Sequence, residues 1–95
     1  MRCTVHIRKS FDLGGKHFVI RLFPTFSREG RRKAETFTSE GRLALRLIEM
    51  GVPEIYMGRG LANLRAGADA IWTDIEIAED SYDAFGRSGR TMAAA

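Results

Sequence analysis

The sequence predicts an α+β fold, in which one main helix packs on one face of a mainly antiparallel sheet of four to five strands. The chain has 95 residues, enough for one hydrophobic core and a single domain. Stretches near both ends alternate apolar and polar residues, as half-buried strands do, and a central stretch repeats apolar residues at helical spacing. The predicted element order is βββαβ(α)β, with a domain over residues 1–80 and a mobile polar tail over 81–95.

The first three strands are predicted to form consecutive hairpins. Residues 2–9 alternate in polarity, and Asp12-Leu13-Gly14-Gly15 is typical of a turn before a second strand over 16–26. The pair Glu29-Gly30 then predicts a second turn and a short third strand over 31–37. The apolar residues expected to face the helix from the first two strands are Cys3, Val5, Ile7, Phe18, Ile20 and Leu22.

The main helix is predicted to follow these strands directly. Thr38 or Ser39 can cap its first turn, and Gly51 and Pro53 end it. Its apolar stripe consists of Leu43, Ala44, Leu47, Ile48 and Met50.

The C-terminal part is predicted to contain a short strand over 52–57, a weak helix over 61–68 and a final strand over 71–77. In that final strand, alternation places Ile71, Ile75 and Ile77 on one face and Trp72, Asp74 and Glu76 on the other. Two interpretations of Trp72 stay open at this point: it belongs to a second packed layer, or it is an exposed anchor for a partner.

Composition excludes several classes of protein. At 44% hydrophobic residues with two prolines the chain is too apolar to be disordered throughout, and its apolar runs are far shorter than the roughly 20 residues of a membrane span. The opening residues lack an apolar core of the kind found in signal peptides, and the single cysteine cannot form an internal disulfide. We therefore expect a cytoplasmic protein.

Charge is strongly segregated along the chain. Residues 1–33 hold nine basic residues against two acidic residues, a balance of +7, whereas residues 67–86 hold six acidic residues and no basic ones, a balance of −6. The two segments could pair with each other in the folded state or could each face a partner, and the sequence leaves both alternatives open.

The basic segment indicates a nucleic-acid surface on the open face of the sheet. Cations neutralise phosphates there while flat side chains stack on bases. The order of three strands followed by GRRKAETFTSEGRLALRLIE resembles the small DNA-binding domains of phage integrases and plant ethylene-response factors. That resemblance implies a sheet face lying in the major groove, and direct binding of DNA or RNA is our alternative function. The residues expected to carry it are Arg8, Arg21, Arg31, Arg32 and Lys33.

The acidic segment supports our leading hypothesis, which is a small non-enzymatic inhibitor or adaptor of nucleic-acid machinery. Carboxylates two residues apart on a strand are separated by roughly 7 Å, about the spacing of successive phosphates, so they could occupy a nucleic-acid groove on a basic protein. In size and charge the chain is similar to phage-encoded anti-CRISPR proteins. Ordinary solvation of an edge strand is the competing interpretation. The residues expected to bind the partner are Trp72, Asp74, Glu76, Glu79, Asp80 and Tyr82.

Weaker patterns point to no cofactor. The segment Gly58-Arg59-Gly60 could hold an anion before a helix, but it lacks the third glycine of a dinucleotide fingerprint. Cys3, His6 and His17 lack a fourth zinc ligand, and alternation sends Cys3 and His6 to opposite faces. Because no nucleophile, base and acid fall on one predicted face, we expect no catalytic residues, no metal and no enzymatic activity. The oligomeric state is left open.

Overall fold

The computed structural model describes residues 1–12, 15–25 and 33–85, which form one α+β domain. The elements are β1 (Arg2–Asp12), β2 (Gly15–Pro24), β3 (Lys33–Phe37), α1 (Glu40–Met50), α2 (Glu54–Arg65), β4 (Ala70–Glu76) and α3 (Glu79–Ala84). The predicted fold class is confirmed, with four strands and helices packed against them. Within the described ranges, none of the helices has the length and apolar character needed to cross a membrane.

The sheet is antiparallel throughout and has the strand order β3-β2-β1-β4. β1 and β2 pair in a continuous register in which Val5 lies opposite Leu22 and Ile7 lies opposite Ile20. Because this ladder is unbroken, alternation holds along both strands and the predicted core face is confirmed. Its buried residues are Cys3, Val5, Ile7, Phe18, Ile20 and Leu22.

Helix α1 begins and ends where the sequence predicts. The Ser39 side chain accepts a hydrogen bond from the backbone N–H of Arg42 at 3.1 Å. Gly51 closes the helix at φ 86°, a left-handed conformation that glycine adopts without steric cost, and its N–H reaches the carbonyl of Ile48 at 3.0 Å. The buried stripe is Leu43, Leu47 and Met50.

The prediction of a strand over 52–57 is wrong, because this segment opens helix α2. The carbonyl of Pro53 accepts from the N–H groups of Tyr56 and Met57, and Glu54 stands in the first turn, where the helix dipole favours an acid. The buried positions Met57, Gly60 and Leu64 recur at three- and four-residue spacing. A short apolar run is compatible with either a strand or a helix, and here the segment forms a helix that packs on the sheet.

The predicted faces of the final strand are also wrong for part of its length. Cys3 of β1 lies opposite Ile75 and Val5 lies opposite Trp72, so β4 carries one extra residue between these pairs. Asp74 sits in this bulge at φ 54°, a left-handed conformation that Asp tolerates better than most residues. The bulge reverses the alternation: Trp72 is 7% exposed and belongs to the core, whereas Ile71 is 61% exposed.

The domain continues past residue 80. Helix α3 places Tyr82 and Phe85 in the core, and Ser81 donates to the carbonyl of Glu49 at 3.0 Å. Residues 81–85 therefore differ from the polar tail expected over 81–95, because two aromatic side chains bury enough apolar area to hold a six-residue helix. The rest of that predicted tail, 86–95, lies outside the described residues.

Candidate functional site

The sheet has one face without a helix among the described elements. All buried sheet residues point to the side where α1, α2 and α3 pack, so the even-numbered positions of β1 and the odd-numbered positions of β2 form an open face. No carboxylate occurs on this face among residues 2–10 of β1, 17–23 of β2 and 34–36 of β3. Its residues on these three strands are Arg2, Thr4, His6, Arg8, Ser10, His17, Val19, Arg21, Phe23, Ala34 and Thr36.

Arg8 and Arg21 lie near the centre of this open face. Arg8 is opposite Val19, and Arg21 is opposite His6, so the two arginines are diagonal neighbours. Diagonal neighbours of this kind are separated by roughly 7–8 Å, within reach of long side chains. Arg8 is exposed and Arg21 half-buried, and neither forms an ion pair with another residue of the described ranges. The pair therefore presents two positive charges toward solvent.

Lys33, expected on the same surface, lies on the other face of the sheet. Its Nζ donates to the carbonyl of Tyr82 at 2.7 Å and stands 4.2 Å from the centroid of the Tyr82 ring. Lys33 thus connects α3 to the edge strand β3. The ammonium group is attracted to the face of the Tyr82 ring, where the quadrupole of the ring is negative. Arg31 and Arg32 lie outside the described residues.

The acidic strand lies directly beside the basic one, since β4 pairs with β1. Arg2 donates to the backbone carbonyl of Asp74 at 2.9 Å, and its Nε is 3.9 Å from the Asp74 carboxylate. The amino group of Met1 donates to Glu76 Oε1 at 2.9 Å, and this hydrogen bond lowers the pKa of the Glu76 carboxyl. The question that the sequence left open is therefore answered in part: two acids of the strand pair internally.

A third acid of the segment borders the open face. Asp69 Oδ2 is 2.7 Å from His6 Nε2. His6 in turn lies between Arg21 on β2 and Ile71 on β4 in the sheet register. The imidazole therefore links the acidic start of β4 to the basic centre of the sheet.

Comparison of the chain with protein-family models, curated proteins and solved structures finds no match. Its function is therefore inferred from the charge and shape of its surfaces.

The two aromatic residues expected to anchor a partner are not accessible. Trp72 is 7% exposed and Tyr82 is 8% exposed, and both belong to the hydrophobic core. By contrast, Glu79, Asp80 and Asp83 are exposed on α3, and none of them pairs with a cation in the described part of the chain. Within the predicted acidic surface, the carboxylates without a cationic partner in the described ranges therefore lie on α3, whereas those of β4 are paired.

The weaker candidate patterns have structural explanations. Gly58, Arg59 and Gly60 lie inside α2, not at its start, so they form no loop around an anion. Cys3 is buried in the core, and burial raises the pKa of its thiol. His6 and His17 lie on the opposite face from Cys3 and on different rungs of the β1–β2 ladder. The described residues contain no group of three metal-ligating side chains.

One buried charged pair was missed by sequence reasoning. Glu35 is 2% exposed, and Arg46 binds its carboxylate with both Nε, at 3.0 Å, and a terminal nitrogen, at 3.2 Å. The guanidinium also stands 5.1 Å from the centroid of the Phe85 ring. The alternation of side chains along β3 could have predicted that Glu35 is buried, because Glu35 shares a face with the buried Phe37.

Proposed function

We propose that this protein binds nucleic acid through the open face of β1, β2 and β3. The observation that carries the proposal is the placement of Arg8 and Arg21 as diagonal neighbours on a sheet face that has no carboxylate among residues 2–10, 17–23 and 34–36. Unpaired cations on a low-relief surface favour the phosphates of a nucleic acid, because each contact releases a condensed counterion.

The internal pairing of the acidic strand favours this function over our leading sequence hypothesis. Asp74 and Glu76 already hold Arg2 and the amino group of Met1. A basic partner would have to displace those cations before it could bind the strand. Arg8 and Arg21 form no ion pair with another described residue, so a phosphate would displace no carboxylate of the described ranges from them.

The test is fluorescence anisotropy with labelled oligonucleotides across a range of salt concentrations. We expect the logarithm of affinity to fall linearly with the logarithm of salt. The double variant Arg8→Gln/Arg21→Gln should flatten that slope by about 1.4–1.8, since each lost phosphate contact contributes roughly 0.7 for single strands and 0.9 for duplex DNA.

The matched control is Arg42→Gln/Arg59→Gln, which removes the same charge from exposed positions on the helical side. It should leave the slope unchanged. Absence of binding at low salt, or equal slopes for the two double variants, would overturn the proposal.

A second candidate function is supported by the free charges on α3. In this version the chain is a non-enzymatic inhibitor or adaptor, similar in style to anti-CRISPR proteins, that binds a basic protein through Glu79, Asp80 and Asp83. These three acids are exposed and without cationic partners in the described ranges. Glu79→Lys/Asp80→Lys should then abolish capture of a basic nucleic-acid-binding protein, whereas Glu54→Lys, an exposed acid on α2, should not. Equal capture by both variants would exclude this function.

A further inference from the structure

The open face is wider than the groove that a duplex offers. Four strands spaced about 4.8 Å apart place the outer strand axes roughly 14 Å from one another, before side chains are added. The major groove of B-DNA is about 12 Å wide and admits a helix or a two-stranded ribbon. β4 flanks β1 as far as Ile7, so the rung that carries Arg21 and His6 would bring β4 with it into a groove.

Among the described residues, the β4 flank also has little unpaired positive charge for a second phosphate strand. Arg2 and the amino group of Met1, the cations at this end of β1, are held by Asp74 and Glu76. Duplex DNA carries phosphates on both walls of its groove, so one wall would meet a neutralised edge. A single strand needs only one line of cations, and the diagonal Arg8–Arg21 pair supplies it.

The rest of the open face is suited to bases. Phe23 on β2 lies opposite Thr4, two residues along the strand from Arg21 and on the same face. Ile71 on β4 lies opposite His6 and so extends the Arg21–His6 rung. Aromatic side chains beside cations are the arrangement used to bind single strands without strong sequence preference, because every base has a π-face that can stack on a ring. The exposed side chain of Ile71 adds apolar surface next to it.

We propose that the ligand of this face is a single-stranded nucleic acid, with phosphates at Arg8 and Arg21 and unpaired bases over Phe23 and Ile71. This inference rests on the proposed function and names its substrate class. It departs from the major-groove docking implied by the resemblance to integrase domains, because the fourth strand changes the width and the charge of the sheet.

The experiment compares a labelled 15-nucleotide oligothymidine with a 15-base-pair duplex at equal salt, using the full chain. We expect at least tenfold tighter binding of the single strand. Phe23→Ala should weaken single-strand binding by at least about fivefold, the lower bound for one base–aromatic stack, and should leave duplex binding unchanged. Far-ultraviolet circular dichroism checks that this variant is folded.

A second variant tests the charge of the β4 flank without touching the stacking residues. Asp74→Asn/Glu76→Gln keeps a side chain that tolerates the left-handed conformation at 74 and removes the two negative charges beside Arg2 and the amino group of Met1. Duplex binding should then rise and the preference for single strands should shrink. Equal or tighter duplex binding by the native protein overturns this inference and leaves the proposed function intact, whereas absence of binding to either probe overturns both.

Discussion

Gly60 lies where helix α2 crosses strand β4, and a methyl group there would have no room. Its Cβ would be 2.4 Å from Cζ2 of Trp72, 3.2 Å from Cη2 and 3.3 Å from Cβ of Ala70. Carbon atoms in contact are separated by about 3.5–4.0 Å, so the closest approach is about 1 Å too short. The indole ring cannot move away easily, because it is buried between the helix and the sheet.

Gly60→Ala should lower the free energy of unfolding, whereas Gly58→Ala in the same helix should raise it. Overpacking of a well-filled core costs about 1–3 kcal/mol, and so close a contact belongs at the upper end. Alanine gains about 1 kcal/mol over glycine in a helix interior, which leaves a net loss of about 2 kcal/mol for Gly60→Ala. At Gly58 a Cβ would meet nothing within 4 Å, so Gly58→Ala should stabilise by about 1 kcal/mol.

Urea unfolding, followed by circular dichroism and by the fluorescence of the single tryptophan, measures both variants. Opposite signs are expected, with a gap of about 3 kcal/mol between them. The double variant Gly60→Ala/Trp72→Phe should recover most of the packing cost relative to Trp72→Phe alone, because the smaller ring leaves space for the methyl group. If Gly60→Ala is as stable as Gly58→Ala, the close crossing of α2 and β4 is wrong.

Two further predictions concern charged groups. Arg46→Met should destabilise the domain by about 3 kcal/mol, because it removes the bidentate partner of the buried Glu35 carboxylate. Thermal unfolding measures this loss, and the double variant Glu35→Gln/Arg46→Met should recover much of it. The pKa of Glu76 is lowered in the folded protein by the amino group of Met1, so the stability from this pair is complete above the ordinary carboxyl pKa of about 4.3 and is lost as the pH falls through the folded value. Glu76→Gln should therefore flatten the dependence of stability on pH below about 4.3 and leave it unchanged near neutrality; an unaltered acid slope would contradict the pairing.

Where a ladder is regular, the sequence was enough to place side chains. Alternation in β1 and β2 predicted both the buried face and the open positions of Arg8 and Arg21, because ten consecutive pairs keep one register. Helix α1 was predictable from local chemistry, since a serine cap and a left-handed glycine fix its ends without help from the rest of the fold.

The errors arose where long-range packing decides the structure. The apolar run 52–57 fits a strand or a helix equally well, and the helix is the form in which Met57, Gly60 and Leu64 are buried together against the sheet. Lys33 was predicted to lie on the basic surface, yet its ammonium group donates to the carbonyl of Tyr82, which is 49 positions further along the chain. The burial of Tyr82 has the same origin, because one aromatic residue in a polar segment gives no periodic signal.

The bulge in β4 connects these errors to the proposed site. One extra residue turns Trp72 toward the core and brings the carbonyl of Asp74 within 2.9 Å of Arg2, so the charges of β1 and β4 pair at the N-terminal end of β1. Arg8 lies six positions further along β1, beyond the last residue that pairs with β4, which is Ile7. It therefore has no acidic neighbour in that register. Thus the charges of β1 and β4 pair at one end of the sheet, and Arg8 lies outside that pairing.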